Sequence, residues 1–223
     1  MALAACAHLP PGDDGSDTLA TVTTARIGVE LLGTGFFVDK SGYVMTADHA
    51  VANCARRYVG FEGALYRATL IGHSPADDIA VVKIEKDIEA IAVFPRTPRS
   101  AEQGAAFAAG YKVLGTLLNH GSTLSNAMVI PSDAAASGTV MLYSEATFGS
   151  SGAPVLSGGG LVIGVITHRL LPDRVVATNA DRAKELLRAH RVAFAEDDRQ
   201  QLAPLANRAQ YARNITVAVI CFR

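Results

Sequence analysis

Apolar residues along this chain fall in short runs broken by glycine, proline and small polar residues. In the first half the runs are Ala25–Leu32, Gly35–Val38, Tyr43–Thr46, Arg56–Phe61, Leu65–Ile71 and Ile79–Ile84. In the second half they are Ala105–Tyr111, Val113–Leu118, Thr123–Ile130, Thr139–Tyr143, Val155–Leu156, Leu161–Thr167 and Val175–Thr178. Short runs bounded by turn residues predict strands, and many of them in succession predict a sandwich or a barrel. Between the halves, Pro95 to Gln103, with Pro95, Pro98 and Ser100, reads as a linker.

After Thr178 the period changes. Asn179 or Asp181 can cap a helix whose inner face is Ala183, Leu186, Leu187 and His190. A second helical pattern carries Leu202, Leu205, Ala206 and Ala209. The chain then ends in Ile215-Thr216-Val217-Ala218-Val219-Ile220-Cys221-Phe222, which is too apolar for a free tail. It is expected to pair at a barrel edge, to cover a core face, or to open a further domain. At the other end, residues 1–22 read as a flexible leader, with Pro10, Pro11, Gly12 and Gly15 in its middle.

Composition narrows the class. The chain has 223 residues, 49% of them hydrophobic, with a mean hydropathy of +0.23. That is ample for a buried core. The net charge is −1, so no basic excess points to nucleic acid and no acidic tail is present. No run of 18 or more apolar residues suggests a membrane span. The three cysteines, Cys6, Cys54 and Cys221, have no metal-ligand spacing, and no His-Glu-x-x-His occurs. Neither a metal nor a cofactor is expected.

The chemistry lies in three segments. Phe148-Gly149-Ser150-Ser151-Gly152-Ala153-Pro154 sets a serine between glycines just before an apolar run. Upstream, His49 follows the run Tyr43-Val44-Met45-Thr46, and Asp78 opens Ile79-Ala80-Val81-Val82. The order His, Asp, Ser is one of the orders in which a catalytic triad occurs. A serine hydroxyl is a weak nucleophile and needs an adjacent base, which His49 would supply while Asp78 held its ring. Backbone N–H groups of Gly149 and Ser151 would form the oxyanion hole. Activity should then rise as His49 loses its proton, near the ordinary imidazole value of about 6.5.

These segments resemble the trypsin-like serine peptidase superfamily, and most of all its bacterial HtrA-like branch. The Gly-Ser/Thr-Gly-Phe strand appears as Gly33-Thr34-Gly35-Phe36, and the Thr-x-x-His turn as Thr46-Ala47-Asp48-His49. Asp78 to Lys83 matches Asp-Ile-Ala-x-x-Lys, and Gly160-Leu161-Val162-Ile163-Gly164 matches the strand after the serine loop. In that loop Ser150 stands for Asn and Ala153 for Gly. The likeness covers about Ala25 to His190. It implies an all-β chymotrypsin-like fold of two six-stranded antiparallel barrels, with a C-terminal helical segment and a terminal strand. The divisions are 23–98 and 99–179 for the barrels and 180–223 for the remainder. His49 and Asp78 would come from the first barrel and Ser151 from the second.

Two features depart from relatives of this kind. No Ile-Val-Gly-Gly-like start is present, and Ser150 replaces the aspartate that a new amino terminus would pair with, so activation by insertion of a terminus is not expected. No PDZ domain follows before Arg223, so gating by one is not expected either.

Neighbouring residues compete for the assigned roles. Asp78 is preferred to Asp77, which reads as a solvated turn residue, because Asp78 directly opens the strand. Ser151 is preferred to Ser150 because glycines lie after it and two residues before it. His73 reads as a loop residue, and His120 and His190 have no assigned partner. By resemblance, Glu145, Thr167, His168 and Arg169 are candidates for the substrate pocket. A carboxylate at Glu145 would favour a basic side chain, whereas HtrA-like enzymes prefer small apolar ones.

Leu3-Ala4-Ala5-Cys6 resembles the box at which bacterial lipoproteins are lipidated, though the basic and apolar segments of a full signal are not ahead of it. With Cys6 lipidated, Cys54 and Cys221 would be left in an oxidising compartment, where a disulfide is permitted. Two buried free thiols are the simpler reading.

The expectation is therefore a serine endopeptidase acting on polypeptides through His49, Asp78 and Ser151. It would be bacterial by its Ala-rich, Arg-over-Lys composition and exported to the periplasm or cell envelope, with the cytoplasm and the oligomeric state left open. A catalytically silent homologue serving as a binding domain is the alternative. An α/β-hydrolase is disfavoured by Ala153, by the order of partners and by the lack of a β/α alternation.

Overall fold

The computed structural model describes residues 29–97, 105–108, 110–111, 127–130, 138–144, 149–203 and 206–223. Its strands are β1 (Val29–Phe37), β2 (Tyr43–Ala47), β3 (Arg56–Phe61), β4 (Ala64–Ser74), β5 (Ile79–Lys83), β6 (Val93–Phe94), β7 (Ala105–Phe107), β8 (Ala127–Ile130), β9 (Thr139–Ser144), β10 (Pro154–Ser157), β11 (Val162–Leu171), β12 (Arg174–Asn179), β13 (Ala195–Glu196) and β14 (Thr216–Phe222). Helix α1 spans Ala180–Ala189 and α2 spans Arg208–Ile215.

Twelve of the strands close into two barrels, ordered β1-β14-β3-β4-β5-β2 and β10-β11-β12-β9-β8-β7. All barrel pairings are antiparallel; β6 and β13 form a separate parallel pair. The expected fold class is the one observed.

Strand β5 has two buried faces, one turned into the first barrel and one towards the second, which explains why it is a continuous apolar run rather than an alternating one. Ile79 and Val81 turn towards the space between the barrels, and Ala80 and Val82 into the first barrel. The neighbours Phe36 and Phe37 divide in the same way. Phe36 packs between the barrels with Phe94, Phe107 and Leu156, while Phe37 fills the first barrel with Val44, Val59 and Val82. At roughly 25 cal/mol per Å2 of buried apolar surface, this two-sided burial is the main force holding the barrels closed and together.

Three differences from the sequence reading stand out. The runs Ala25–Leu32 and Gly35–Val38 do not form two strands over their described parts, because β1 continues through Gly33. The terminal run neither caps an edge nor covers a face. As β14 it is inserted between β1 and β3, with Val219 opposite Gly33 on one side and Val59 on the other. Finally, Cys54 and Cys221 are joined by a disulfide, not left as free thiols. The bond ties β14 to the turn that follows His49.

Asn179 is the cap of α1, accepting from the Arg182 N–H. Ala183, Leu186 and Leu187 are buried as expected, but His190 lies exposed at the helix end. The second helix starts later than its apolar pattern suggested, because Asn207 caps it by accepting from Gln210. The run Val113–Leu118 lies outside the described residues.

Candidate active site

His49 sits in a one-turn 3-10 helix, Asp48–Ala50, directly after β2, and Asp78 directly precedes β5. Because β2 and β5 pair with Ala47 opposite Ile79, the two residues emerge side by side from adjacent strand ends. Asp78 has φ +51°, a left-handed conformation that aspartate tolerates better than most residues. Its carboxylate accepts from the His49 backbone N–H at 3.0 Å and lies 2.8 and 3.0 Å from the ring Nδ1. A proton on Nδ1 donates to this carboxylate and leaves Nε2 as an acceptor.

The imidazole pKa is raised above its ordinary value. The hydrogen bond to Asp78 is the largest cause; partial burial opposes it, and the charges of Asp78 and Asp48 add to it. Asp48 is itself buried and lies 3.0 Å from Nδ1 of His73. A second His–Asp pair thus abuts the first. The sequence had His73 in a loop, whereas it lies on β4.

The serine loop is held by its backbone. Gly149 and Gly152 have φ +90° and +85°, and a Cβ at Gly152 would stand 2.0 Å from the Thr34 carbonyl oxygen. Any side chain there would collide with β1. The Gly152 N–H donates to Ile166 at 2.7 Å, and the Thr34 N–H donates to the Ser151 carbonyl at 2.8 Å. The loop of the second barrel is therefore clamped onto the first.

Of the two serines, Ser150 is buried with a hydroxyl that has no hydrogen-bond partner among the described residues, while Ser151 is half-buried. The Ser151 hydroxyl lies 3.5 Å from the Thr167 carbonyl, at the limit of a hydrogen bond, and makes none with the His49 ring. Neither the Gly149 nor the Ser151 N–H donates to an acceptor among the described residues.

The pocket candidates separate. The Thr167 side chain is buried and donates to the Val176 carbonyl at 3.2 Å. His168 is exposed beside it, with Nδ1 3.1 Å from the Thr167 hydroxyl. Arg169 curls back onto its own hairpin, donating to the carbonyls of Leu171 and Pro172. Glu145, His120 and Cys6 lie outside the described residues. Asp77 is more than a solvated turn residue, since it accepts from the Ser74 hydroxyl at 2.6 Å and lies 3.9 Å from Arg182. Among the described residues no cluster of three or more His, Cys, Asp or Glu side chains could hold a metal ion. No helix among them is long and apolar enough to cross a membrane.

Residues 33–165 match the family described as trypsin-like peptidase domain. Over 151 residues, 67% of its length, the chain is 30% identical to the uncharacterized protein y4bJ of Sinorhizobium fredii, covering 24% of that protein. Over 54 residues, 24% of its length, it is 43% identical to a probable periplasmic serine endoprotease DegP-like of Chlamydia pneumoniae, covering 11% of it. The chain thus spans a quarter or less of these curated relatives. In structure it is similar to a serine endoprotease from Yersinia pestis, with a TM-score of 0.59 at 20% identity, covering 74% of this chain and 59% of that one. At that identity the likeness speaks for the fold alone.

Proposed function

The chain belongs to the trypsin-like peptidase family, and from that premise we propose that it is a serine endopeptidase. The observation that carries the reading is the His49 ring held by Nδ1 on the Asp78 carboxylate at 2.8 Å, together with a serine loop clamped to the same barrel. His49 acts as base through Nε2. It takes the Ser151 proton as Oγ bonds to the scissile carbonyl carbon, giving a tetrahedral oxyanion. The same proton passes to the amine nitrogen as the C–N bond breaks, leaving an acyl-serine. Water, deprotonated by His49, then releases the acid and restores Ser151.

The contact of the Ser151 hydroxyl with Thr167 is long and weak, so rotation of the side chain towards His49 costs little. The N–H groups of Gly149 and Ser151, which donate to no acceptor among the described residues, support an oxyanion hole. A polypeptide substrate is supported by the distal half of β11, His168 to Leu171, which pairs only with β12 among the described strands. Among the described residues its other edge is open to an added strand. An oxidising, exported setting is supported by the Cys54–Cys221 disulfide and by the periplasmic relative.

The test is fluorophosphonate labelling read by peptide mapping, alongside hydrolysis of a denatured protein substrate. One adduct on Ser151 is expected, with loss of both labelling and turnover in Ser151→Ala. Turnover that survives in Ser151→Ala, or a folded wild type that takes no label, overturns the reading.

A further inference from the structure

We infer that Thr34 is a positioning residue for the oxyanion hole, an inference that rests on the endopeptidase reading above. Thr34 lies in the middle of β1 and is completely buried. Its hydroxyl donates to the Gly149 carbonyl at 2.6 Å and accepts from the Tyr111 N–H at 3.0 Å. Its backbone N–H donates to the Ser151 carbonyl at 2.8 Å. Its own carbonyl accepts from the Thr46 hydroxyl at 2.7 Å, three residues before His49.

One residue of the first barrel therefore pins two peptide planes of the serine loop, Gly149–Ser150 and Ser151–Gly152. Between these planes lie the Ser151 N–H and its side chain. The Ser151 carbonyl is held by a backbone group that any residue at this position would supply. Among the described residues the Gly149 carbonyl accepts a hydrogen bond only from the hydroxyl. Gly149 has φ +90° and no side chain to resist rotation, so its conformation depends on that bond. The hydroxyl also couples the loop to the 110–111 segment, where a Cβ on Gly110 would stand 3.0 Å from both the Gly149 oxygen and the Ser150 hydroxyl. A half-buried carbonyl that loses its donor seeks another, and rotation of the Gly149–Ser150 peptide is the available response.

The role separates from catalysis itself, because Thr34 touches neither the reacting atoms nor His49. Its loss should weaken stabilisation of the oxyanion and leave substrate binding and the protonation of His49 alone. Oxyanion stabilisation acts in the transition state, so the defect should appear in kcat.

The test compares wild type, Thr34→Val and Thr34→Ser, with Thr34→Ala taking the place of valine if that variant does not fold. Expected is a fall in kcat of at least tenfold in Thr34→Val, with KM within about twofold and an unmoved acid limb in the pH profile. Thr34→Ser should recover kcat to within about threefold. Independently of turnover, the Gly149 carbonyl 13C resonance should shift upfield in Thr34→Val and return in Thr34→Ser. Equal kcat in wild type and Thr34→Val with an unmoved resonance overturns the inference. So does equal impairment of the valine and serine variants, which would assign the effect to shape. A wild type that takes no fluorophosphonate while the Gly149 resonance responds to Thr34 sinks the endopeptidase reading and leaves the anchoring in place.

Discussion

The two barrels have the same number of strands and are closed in different ways. The second is built from one stretch of chain, β7 to β12, and its last strand returns beside its neighbours within that stretch. The first takes five strands from β1 to β5 and its sixth, β14, from the far end of the chain. Its closure is tied by a disulfide between residues 167 positions apart. The barrel that carries His49 is therefore the one whose integrity depends on strands as far apart in sequence as β1 and β14 coming together. Closing so long a loop costs conformational entropy, and the cross-link removes much of that cost from the unfolded state. Among the described residues the serine loop reaches the first barrel through hydrogen bonds, and apolar packing between the barrels supplies the rest of the contact, with no covalent link such as the one that ties β14.

The largest expected effect tests the dependence on β14 directly. Deleting residues 216–223 removes Val217 and Val219 from the first core and leaves β1 and β3 as open edges. Loss of cooperative unfolding in a thermal melt is expected, together with loss of soluble protein. A truncated chain that melts cooperatively and cleaves substrate would mean that the first barrel closes without β14.

Asp78→Asn keeps the shape of the first barrel and removes the charge that orients its base. A drop in kcat of about ten-thousandfold is expected, by comparison with the same change in other triads. The pH profile adds a second reading. Below its pKa His49 is protonated and cannot act as base, so wild-type kcat/KM should rise with pH through a midpoint above the ordinary imidazole value, because the Asp78 hydrogen bond raises that pKa. In Asp78→Asn the midpoint should move to lower pH. The linked stability has the opposite sense. The His49–Asp78 pairing stabilises the fold most below the unfolded imidazole pKa, and that contribution is lost as pH rises through the folded value. An unshifted midpoint would detach His49 from Asp78.

Removing the disulfide with Cys54→Ser and Cys221→Ser should weaken the first barrel and leave its topology intact. The chain-entropy account gives roughly 4–5 kcal/mol for a loop this long. That corresponds to a fall in Tm of about 10–15 °C at this size. Calorimetry with and without reductant reads it, and the double variant should be indifferent to reductant. A fall under about 2 °C would place the strength of the closure in the β14 pairing alone.

The smallest effect concerns the second His–Asp pair. Asp48 adds the weakest of the causes that raise the His49 pKa, so Asp48→Asn should lower the pH midpoint by less than Asp78→Asn does. A larger shift would place Asp48 ahead of Asp78 in control of the base.

Much of the site was legible in the sequence because its signals are local. His49 follows a strand, Asp78 opens one, and Ser151 lies between glycines whose positive φ values the loop requires. The preference for Ser151 over Ser150 also rested on neighbours in the chain, whereas their difference in burial, Ser150 buried and Ser151 half-buried, is visible only in the fold. Thr34 stood inside a quoted motif and was read only as strand, since nothing near it in sequence points to Gly149, 115 positions away. His73 looked like a loop residue because Gly72 and Pro75 flank it, yet pairing with β5 carries β4 through to Ser74.

By itself the sequence determined the class of the fold, most of the strands and the order of the candidate site residues. Each of these depends on alternation, turn residues and motifs within a few positions of one another. Only the tertiary structure decided where β14 belongs, that Cys54 meets Cys221, and that the hydroxyl of Thr34 holds the serine loop. A run such as Val217-Ala218-Val219-Ile220 is apolar on both faces and fits any position with two buried sides. Its place between β1 and β3 is set by which unpaired edges remain once the other strands have closed, and no local stretch of sequence encodes that.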